Sequence, residues 1–358
     1  MLDERRKILQ MLADGKISAA DAERLMEKLD ELDGKKVADS SADNAADPVP
    51  PVPPGSTLPP GDTSLEGGLT GFIARLIKTG LNSVGVATQT QSRSESTDHQ
   101  PGMPLRVRTG NGFIHVSKVT GTQVSIRADV RAVTLERLAA VKLRTTREAD
   151  GTLDIRADWP DGGPRGMEGC SFAIEIPDAI GVDLETSNGA INLEAMGGSA
   201  LLRTRNGAVD VRAHDGSVRA DTTNGKIRLV DVIGNVIAHG SNGRISVERC
   251  SGSVEAETTN GSVDVAQTSE GKGPLLLTTT NGSITAEIGR AFRGALRLRT
   301  VNGPAEFNEV AGLRVVSRTR NSADLEVGSG TPQSSLRTTN GAVRVTLSPV
   351  VEHANVSA

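Results

Sequence analysis

Ala200–Ser217 reads ALLRTRNGAVDVRAHDGS, Val218–Asn235 reads VRADTTNGKIRLVDVIGN, and Val236–Ser253 reads VIAHGSNGRISVERCSGS. These three 18-residue blocks carry Asn-Gly at the same place, at Asn206, Asn224 and Asn242. Outward from them the dipeptide recurs at Asn188, Asn260, Asn281, Asn302 and Asn340, while Asn321 is followed by Ser322. From Asn188 the steps are 18, 18, 18, 18, 21, 21, 19 and 19 residues. A fixed period of this size marks a repeat architecture.

Positions on both sides of each Asn alternate. Four before it stand Leu184, Leu202, Ala220, Ala238, Ala256, Leu277, Leu298 and Leu336, and two before it a column of Thr, broken at Gly240. Three and five after it stand pairs such as Ile191 and Leu193, Val209 and Val211, and Ile227 and Leu229. The copy at Asn321 slips by one, so that Leu325 and Val327 take those places. Period-two alternation on both sides of a turn predicts two half-buried strands per repeat.

Two folds use such a pattern. Asn-Gly between alternating strands is a hairpin signal and would give an antiparallel meander. A parallel β-solenoid would instead stack each repeat as one coil on the last. The charges favour the stack. Three before each Asn the sequence reads Glu185, Arg203, Asp221, His239, Glu257. In a parallel stack these are neighbours about 4.8 Å apart with acid and base alternating. Asn188, Asn206, Asn224, Asn242, Asn260, Asn281, Asn302 and Asn340 would form a hydrogen-bonded corner ladder, with Gly supplying a positive φ.

Composition narrows the function. Net charge is −4, so nothing favours a nucleic-acid partner. With 2% aromatics, one Trp and no Tyr, the chain has few stacking platforms for bases or sugars. Cys170 and Cys250 lie far apart and read as free buried thiols rather than a disulfide framework. Met1–Arg6 begins no apolar leader, and no stretch of about 20 apolar residues occurs, so a cytoplasmic, membrane-associated protein without a spanning helix is expected.

The chain divides into five parts. Residues 1–33 read as a helical hairpin, with Ile8, Leu9 and Leu12 on one face, a break at Asp14-Gly15-Lys16, and Ser18 as the next N-cap. It is either a hairpin docked on its own chain or a self-association module. Residues 34–64 are a Pro-rich linker. Residues 65–86 form an amphipathic helix with Leu69, Phe72, Ile73 and Leu76 on one face, suited to cap the solenoid or to contact a membrane surface. Residues 87–103 read as a polar, disordered linker. Residues 104–348 hold the repeats, opening with Leu105, Val107, Ile114 and Val116 around Asn111. An excursion over 117–180 carries strands near 122–130, 141–147, 152–158 and 171–176, with a helical turn near 135–141.

The repeats offer little chemistry. Calcium-binding β-rolls need Gly-Gly-x-Gly-x-Asp turns, and these turns read Thr-x-Asn-Gly. Asp210 and Asp264 share a repeat position, but Arg228 and Ser246 stand between them. That separates the carboxylates by roughly 14 Å, beyond the roughly 5–9.5 Å of a glycosidase pair. His214 and His239 read as solvated face residues. No catalytic residue, metal ligand or cofactor site is assigned.

Phe172-Ala173-Ile174-Glu175-Ile176-Pro177, followed by Val182-Asp183-Leu184-Glu185-Thr186-Ser187-Asn188-Gly189-Ala190-Ile191, resembles the DUF4097 family of bacterial β-strand-repeat proteins, which carry an adhesin label. Gly15-Lys16-Ile17-Ser18 with Asp21-Ala22 resembles the short SHOCT-like helical module often fused to them. The resemblance implies a right-handed parallel β-solenoid of 18–21-residue coils, mainly β, and no catalytic residues. It also implies links to envelope-stress systems.

The expected function is non-catalytic interaction or scaffolding, with an exported surface adhesin and a polysaccharide-active enzyme as alternatives. The expected partner is a protein or a second copy, with no nucleic acid and with membrane contact through 65–84. Five before each Asn, an outward position reads Asp183, Leu201, Arg219, Ile237, Glu255, Leu276, Arg297, Val316. Leu201, Ile237, Leu276 and Val316 would form an interaction face, unless Arg stems or the 117–180 excursion cover it.

Overall fold

A computed structural model describes residues 88–328 and 333–348. The helical hairpin of 1–33, the linker of 34–64 and the amphipathic segment of 65–86 lie outside the described residues. The described chain is a β-solenoid of two long sheets with 12 and 13 strands. We name each coil by its corner Asn. In the Asn224 coil, Val218–Asn224 belongs to the front sheet and Ile227–Ile233 to the back sheet. Val218, Ala220 and Thr222 point inward from the front, and Ile227, Leu229 and Val232 from the back. The core is the space between the sheets, filled by these columns. From Asn188 to Asn281 consecutive coils pair in parallel register, Asn on Asn. The column Glu185, Arg203, Asp221, His239, Glu257 is aligned rung by rung.

The corner glycines have a different reason from the expected one. Only Gly112 and Gly341 of this column have positive φ among the described residues. What the column shares is close approach. A Cβ built on Gly207, Gly225 or Gly243 would lie 1.8–2.0 Å from the carbonyl oxygen of the previous coil's glycine. Thr two places before Asn completes the corner. Its buried hydroxyl donates to that same glycine carbonyl at 2.8–3.1 Å in the Asn188, Asn206, Asn224, Asn260 and Asn281 coils. In the Asn242 coil, Gly240 stands in place of Thr.

A second corner has no counterpart in the expected alternation. Seven after Asn, Ala195, Ala213, Asp231 and Arg249 take φ of 53–57°, a left-handed conformation. This reverses the pleat, so the next residue turns inward: Met196, His214, Val232 and Cys250 are all buried. His214 is therefore a core residue at 1% exposure, not a face residue.

The ends of the stack depart from sequence order. The Asn340 coil pairs with the Asn281 coil on one side and the Asn302 coil on the other. It is thus inserted between two coils that precede it. Asn321 makes no coil; it turns an antiparallel hairpin, Leu313–Arg318 with Ser322–Val327, laid on the Asn302 strand. At the other end, Leu105–Asn111 lies between Gly181–Asn188 and Leu153–Asp158. The expectation that every repeat stacks on the last holds only in the middle.

Gln89–Asp98 falls in the stretch expected to be a disordered linker, yet it is a strand, antiparallel to Gln123–Ala132. Its polar side chains suit an outermost strand, where both faces meet water. The Arg93 guanidinium ties it inward, donating to the carbonyls of Leu138 and Val141. Val141 directly follows the single described helix, Leu135–Ala140, capped by Thr134. Beside that helix, Glu168 is fully buried and accepts from Arg137 at 2.7 and 2.8 Å. The backbone N–H groups of Arg165 and Val133 add to it. The Arg137 guanidinium holds the Glu168 carboxyl down to about 2.

Two glycines should respond in opposite directions. Gly225→Ala should lower stability by about 2–3 kcal/mol, because the methyl meets a fixed carbonyl. Gly240→Thr should raise it by about 1 kcal/mol, since its Cβ finds nothing nearer than 3.4 Å and the hydroxyl restores a missing donor. Urea denaturation of both variants checks this.

A second test uses Trp159, the single tryptophan, half-buried and two residues before Asp161, which pairs with the same Arg137. The stabilisation from a depressed carboxyl is whole above its ordinary value of 4.5 and is lost as pH falls towards about 2. Trp159 fluorescence of the parent should therefore change across that window. Glu168→Gln should flatten the pH dependence there.

Candidate functional site

The outer face of the front sheet is a grid of columns at five, three and one before Asn. Its charges pair along and across the rungs. Arg203 meets Asp183 at 3.4 Å and Arg219 meets Asp221 at 3.0 Å. His239 lies 3.2 Å from Asp221 and 3.7 Å from Glu255. Between these charges Leu201 and Ile237 are half-buried, each abreast of Arg219. Leu276 is 44% exposed, one rung beyond Glu255.

Val316 does not continue this column. Beyond Leu276 come Ser335 and Arg297, because the last coil is inserted there. Val316 instead is bulged out of the Leu313–Arg318 strand at 54% exposure. It still lines one depression of about 430 Å³ with Leu276, Arg297 and Asp324.

The corner asparagines run along the edge of this face. Asn206, Asn224, Asn242, Asn260 and Asn281 each donate through Nδ2 to the Oδ1 of the preceding Asn at 2.7–2.8 Å. Asn340 donates to Asn281 and Asn302 to Asn340, so the ladder follows spatial rather than sequence order. Asn188 extends it to Asn111. Each amide is oriented by the one before it, which keeps the front edge straight.

The titratable groups are held apart. Asp210 and Asp264 lie three rungs apart on the back sheet and pair with Arg212 and Arg244. The His214 Nε2 sits 2.9 Å from the Gly198 carbonyl oxygen, and burial lowers its pKa. Burial pushes the Cys170 thiol up to about 12 and raises that of Cys250. Both cysteines are free. Among the described residues, no group of three His, Cys, Asp or Glu is gathered as a metal would need, and no helix is long and apolar enough to cross a membrane.

A β-solenoid with a registered, mixed-charge outer face is the class that this geometry defines. Residues 3–34 match the SHOCT-like domain, so the N-terminal segment carries that module. Among solved structures, the chain is similar to a candidate adhesin of Bacteroides fragilis at 14% identity, covering 71% of this chain and 97% of that one, with a TM-score of 0.43. A candidate cell adhesion protein of Clostridium sporogenes is 10% identical, with 72% and 100% covered and a TM-score of 0.22. A candidate adhesin of Parabacteroides distasonis is also 10% identical, with 72% and 97% covered and a TM-score of 0.26. No curated protein matches the chain.

The ladder can be tested at one rung. In Asn242→Asp the carboxylate would face the Asn224 Oδ1 without a proton between them. Stability at neutral pH should fall by about 1 kcal/mol. The deficit should shrink below pH ~4, where a protonated carboxyl can donate again. Thermal melts of parent and variant at both pH values measure it.

Proposed function

We propose that this chain is a non-catalytic interaction protein in which the SHOCT-like module is tethered by residues 34–64 to a rigid β-solenoid, and that the solenoid's front face receives a second copy of the chain. The family resemblance adds a link to bacterial envelope-stress systems. The observation that carries the reading is the front face itself. Leu201, Ile237 and Leu276 recur on every second rung with charged residues between them. Single exposed apolar residues are ordinary. A periodic row on a backbone that holds them at fixed spacing is a surface complementary to another of the same kind. The acidic rung that carries Glu255 and Glu257 and the basic rungs at Arg337 and Arg297 lie on opposite sides of Leu276. A two-fold partner centred on Leu276 would therefore set acid against base.

Replacing Leu201, Ile237 and Leu276 together by Thr should leave the fold intact, since Thr suits an outer strand position. In analytical ultracentrifugation the parent should sediment as a dimer or larger species and the triple variant as a monomer. A monomeric parent, or a variant that still self-associates, removes this reading.

A further inference from the structure

We propose that the basic end of the front face is a binding site for a phosphate- or sulfate-bearing ligand, held by Arg297, Arg299 and Arg337. It goes beyond the self-association reading and competes with it, because Arg297 and Arg337 serve both; ligand binding is read by calorimetry and self-association by sedimentation, so that either can fail alone.

The site is made by the out-of-order coil. Thr278, Arg337 and Arg299 stand abreast on three neighbouring strands, and Leu276, Ser335 and Arg297 stand abreast in the next column. All of these except Leu276, together with Thr339, line a depression of about 650 Å³. Its rim is uneven in charge. Arg297 and Arg299 share one carboxylate, Asp324, which Arg299 engages at 2.8 Å through both oxygens and Arg297 at 3.5 Å. Arg337, exposed between Thr278 and Arg299, has no ion pair or hydrogen bond through its side chain among the described residues. Three guanidiniums therefore face one carboxylate, and no carboxylate lines the depression itself. The neighbouring carboxylate on the other flank, Glu257, stands one rung beyond Thr278.

This differs from the companion depression nearer the middle of the stack. There Arg203 and Arg205 are accompanied by Glu185 and Asp221 within the lining. Like charges abreast on adjacent strands repel, and the strand spacing of about 4.8 Å fixes that repulsion in place. A tetrahedral oxyanion seated between Arg337 and Arg299 would relieve it, accepting from the Arg337 fork, while Arg299, whose terminal nitrogens already donate to the Leu298 and Ala323 carbonyls and to Asp324, adds its Nε–H and its charge. Hydroxyls of Thr278, Ser335 and Thr339 border the same space and can donate to its remaining oxygens. An apolar or cationic ligand has no such complement here.

The test is isothermal titration calorimetry of the full chain at low ionic strength with inorganic tripolyphosphate, and in a parallel arm with a sulfated oligosaccharide. The parent should bind at least one of them saturably at one site per chain, and the tighter arm identifies phosphate or sulfate as the source. Arg337→Thr should weaken that binding at least tenfold with an unchanged melting temperature. Arg205→Thr removes the same charge from the companion depression and should leave binding within twofold. Absence of saturable binding by the parent would overturn the site. Equal losses in Arg337→Thr and Arg205→Thr would also overturn it, by showing that only overall charge matters.

Discussion

The structure depends on how closely one corner backbone lies on the next. The α-carbon of each corner glycine from Gly189 onward sits where any side chain would strike the glycine carbonyl of the neighbouring coil. That approach brings the carbonyl within reach of a buried Thr hydroxyl and sets the asparagine amides at hydrogen-bonding distance. Thr, Asn and Gly are thus one device with three parts: a donor from inside, a ladder outside and the clearance between them. A net hydrogen bond contributes about 1 kcal/mol. One Asn bond per rung, and one Thr bond in every rung but that of Gly240, therefore add up along the stack. Because each is made to a neighbouring coil, stability is shared between adjacent repeats rather than owned by any one of them.

A stack held this way has open ends, and the chain closes both by leaving sequence order. At the carboxyl side the Asn302 coil is laid one place too far out, and the final coil fills the gap. Its place therefore depends on contacts with chain segments 59 and 38 residues earlier, as the Asn340 ladder bonds record. At the amino side the Asn111 coil is likewise enclosed. Beyond these, antiparallel strands finish the front and back sheets, Lys142–Arg147 on Leu153–Asp158 and Gln89–Asp98 on Gln123–Ala132. Turning the strand direction and populating the last strand with polar groups are two ways to keep an edge from recruiting another chain. The Leu313–Arg318 edge is less guarded, with Val315 and Val316 exposed.

The middle of this architecture was legible because its signal is local and repeated. Thr-x-Asn-Gly with alternating apolar flanks gives two strands per coil, and the charge column Glu185, Arg203, Asp221 favours parallel stacking. What escaped has identifiable causes. The left-handed residues at Ala195, Ala213, Asp231 and Arg249 share no side-chain type, so nothing in the alphabet marks the pleat reversal that buries His214. A glycine column ten after Asn, at Gly198, Gly216, Gly234 and Gly252, was present as a clue; there too a Cβ would meet the carbonyl oxygen of the coil below, or of Ile180 beneath Gly198, at 1.9–2.3 Å. Gln89–Asp98 carries no apolar alternation because it has no buried face, so periodicity could not distinguish it from a linker.

The front face shows why a column read from sequence can be right in register and wrong in neighbours. Counting five places before each Asn put Val316 beside Arg297, because it assumed that the Asn321 repeat was a coil. Its Ser322 in place of Gly was the signal against that. A seryl Cβ at such a corner would strike the carbonyl of the coil it stacks on just as an alanyl one would, which disfavours that segment as a rung of the ladder; it forms a hairpin instead. The place it vacates is not where the last coil goes; that coil enters one rung earlier, between Asn281 and Asn302. The insertion puts Arg337 beside Arg299 and separates Leu276 from Arg297. That one insertion accounts both for the broken apolar row and for the cluster of guanidiniums that replaces it.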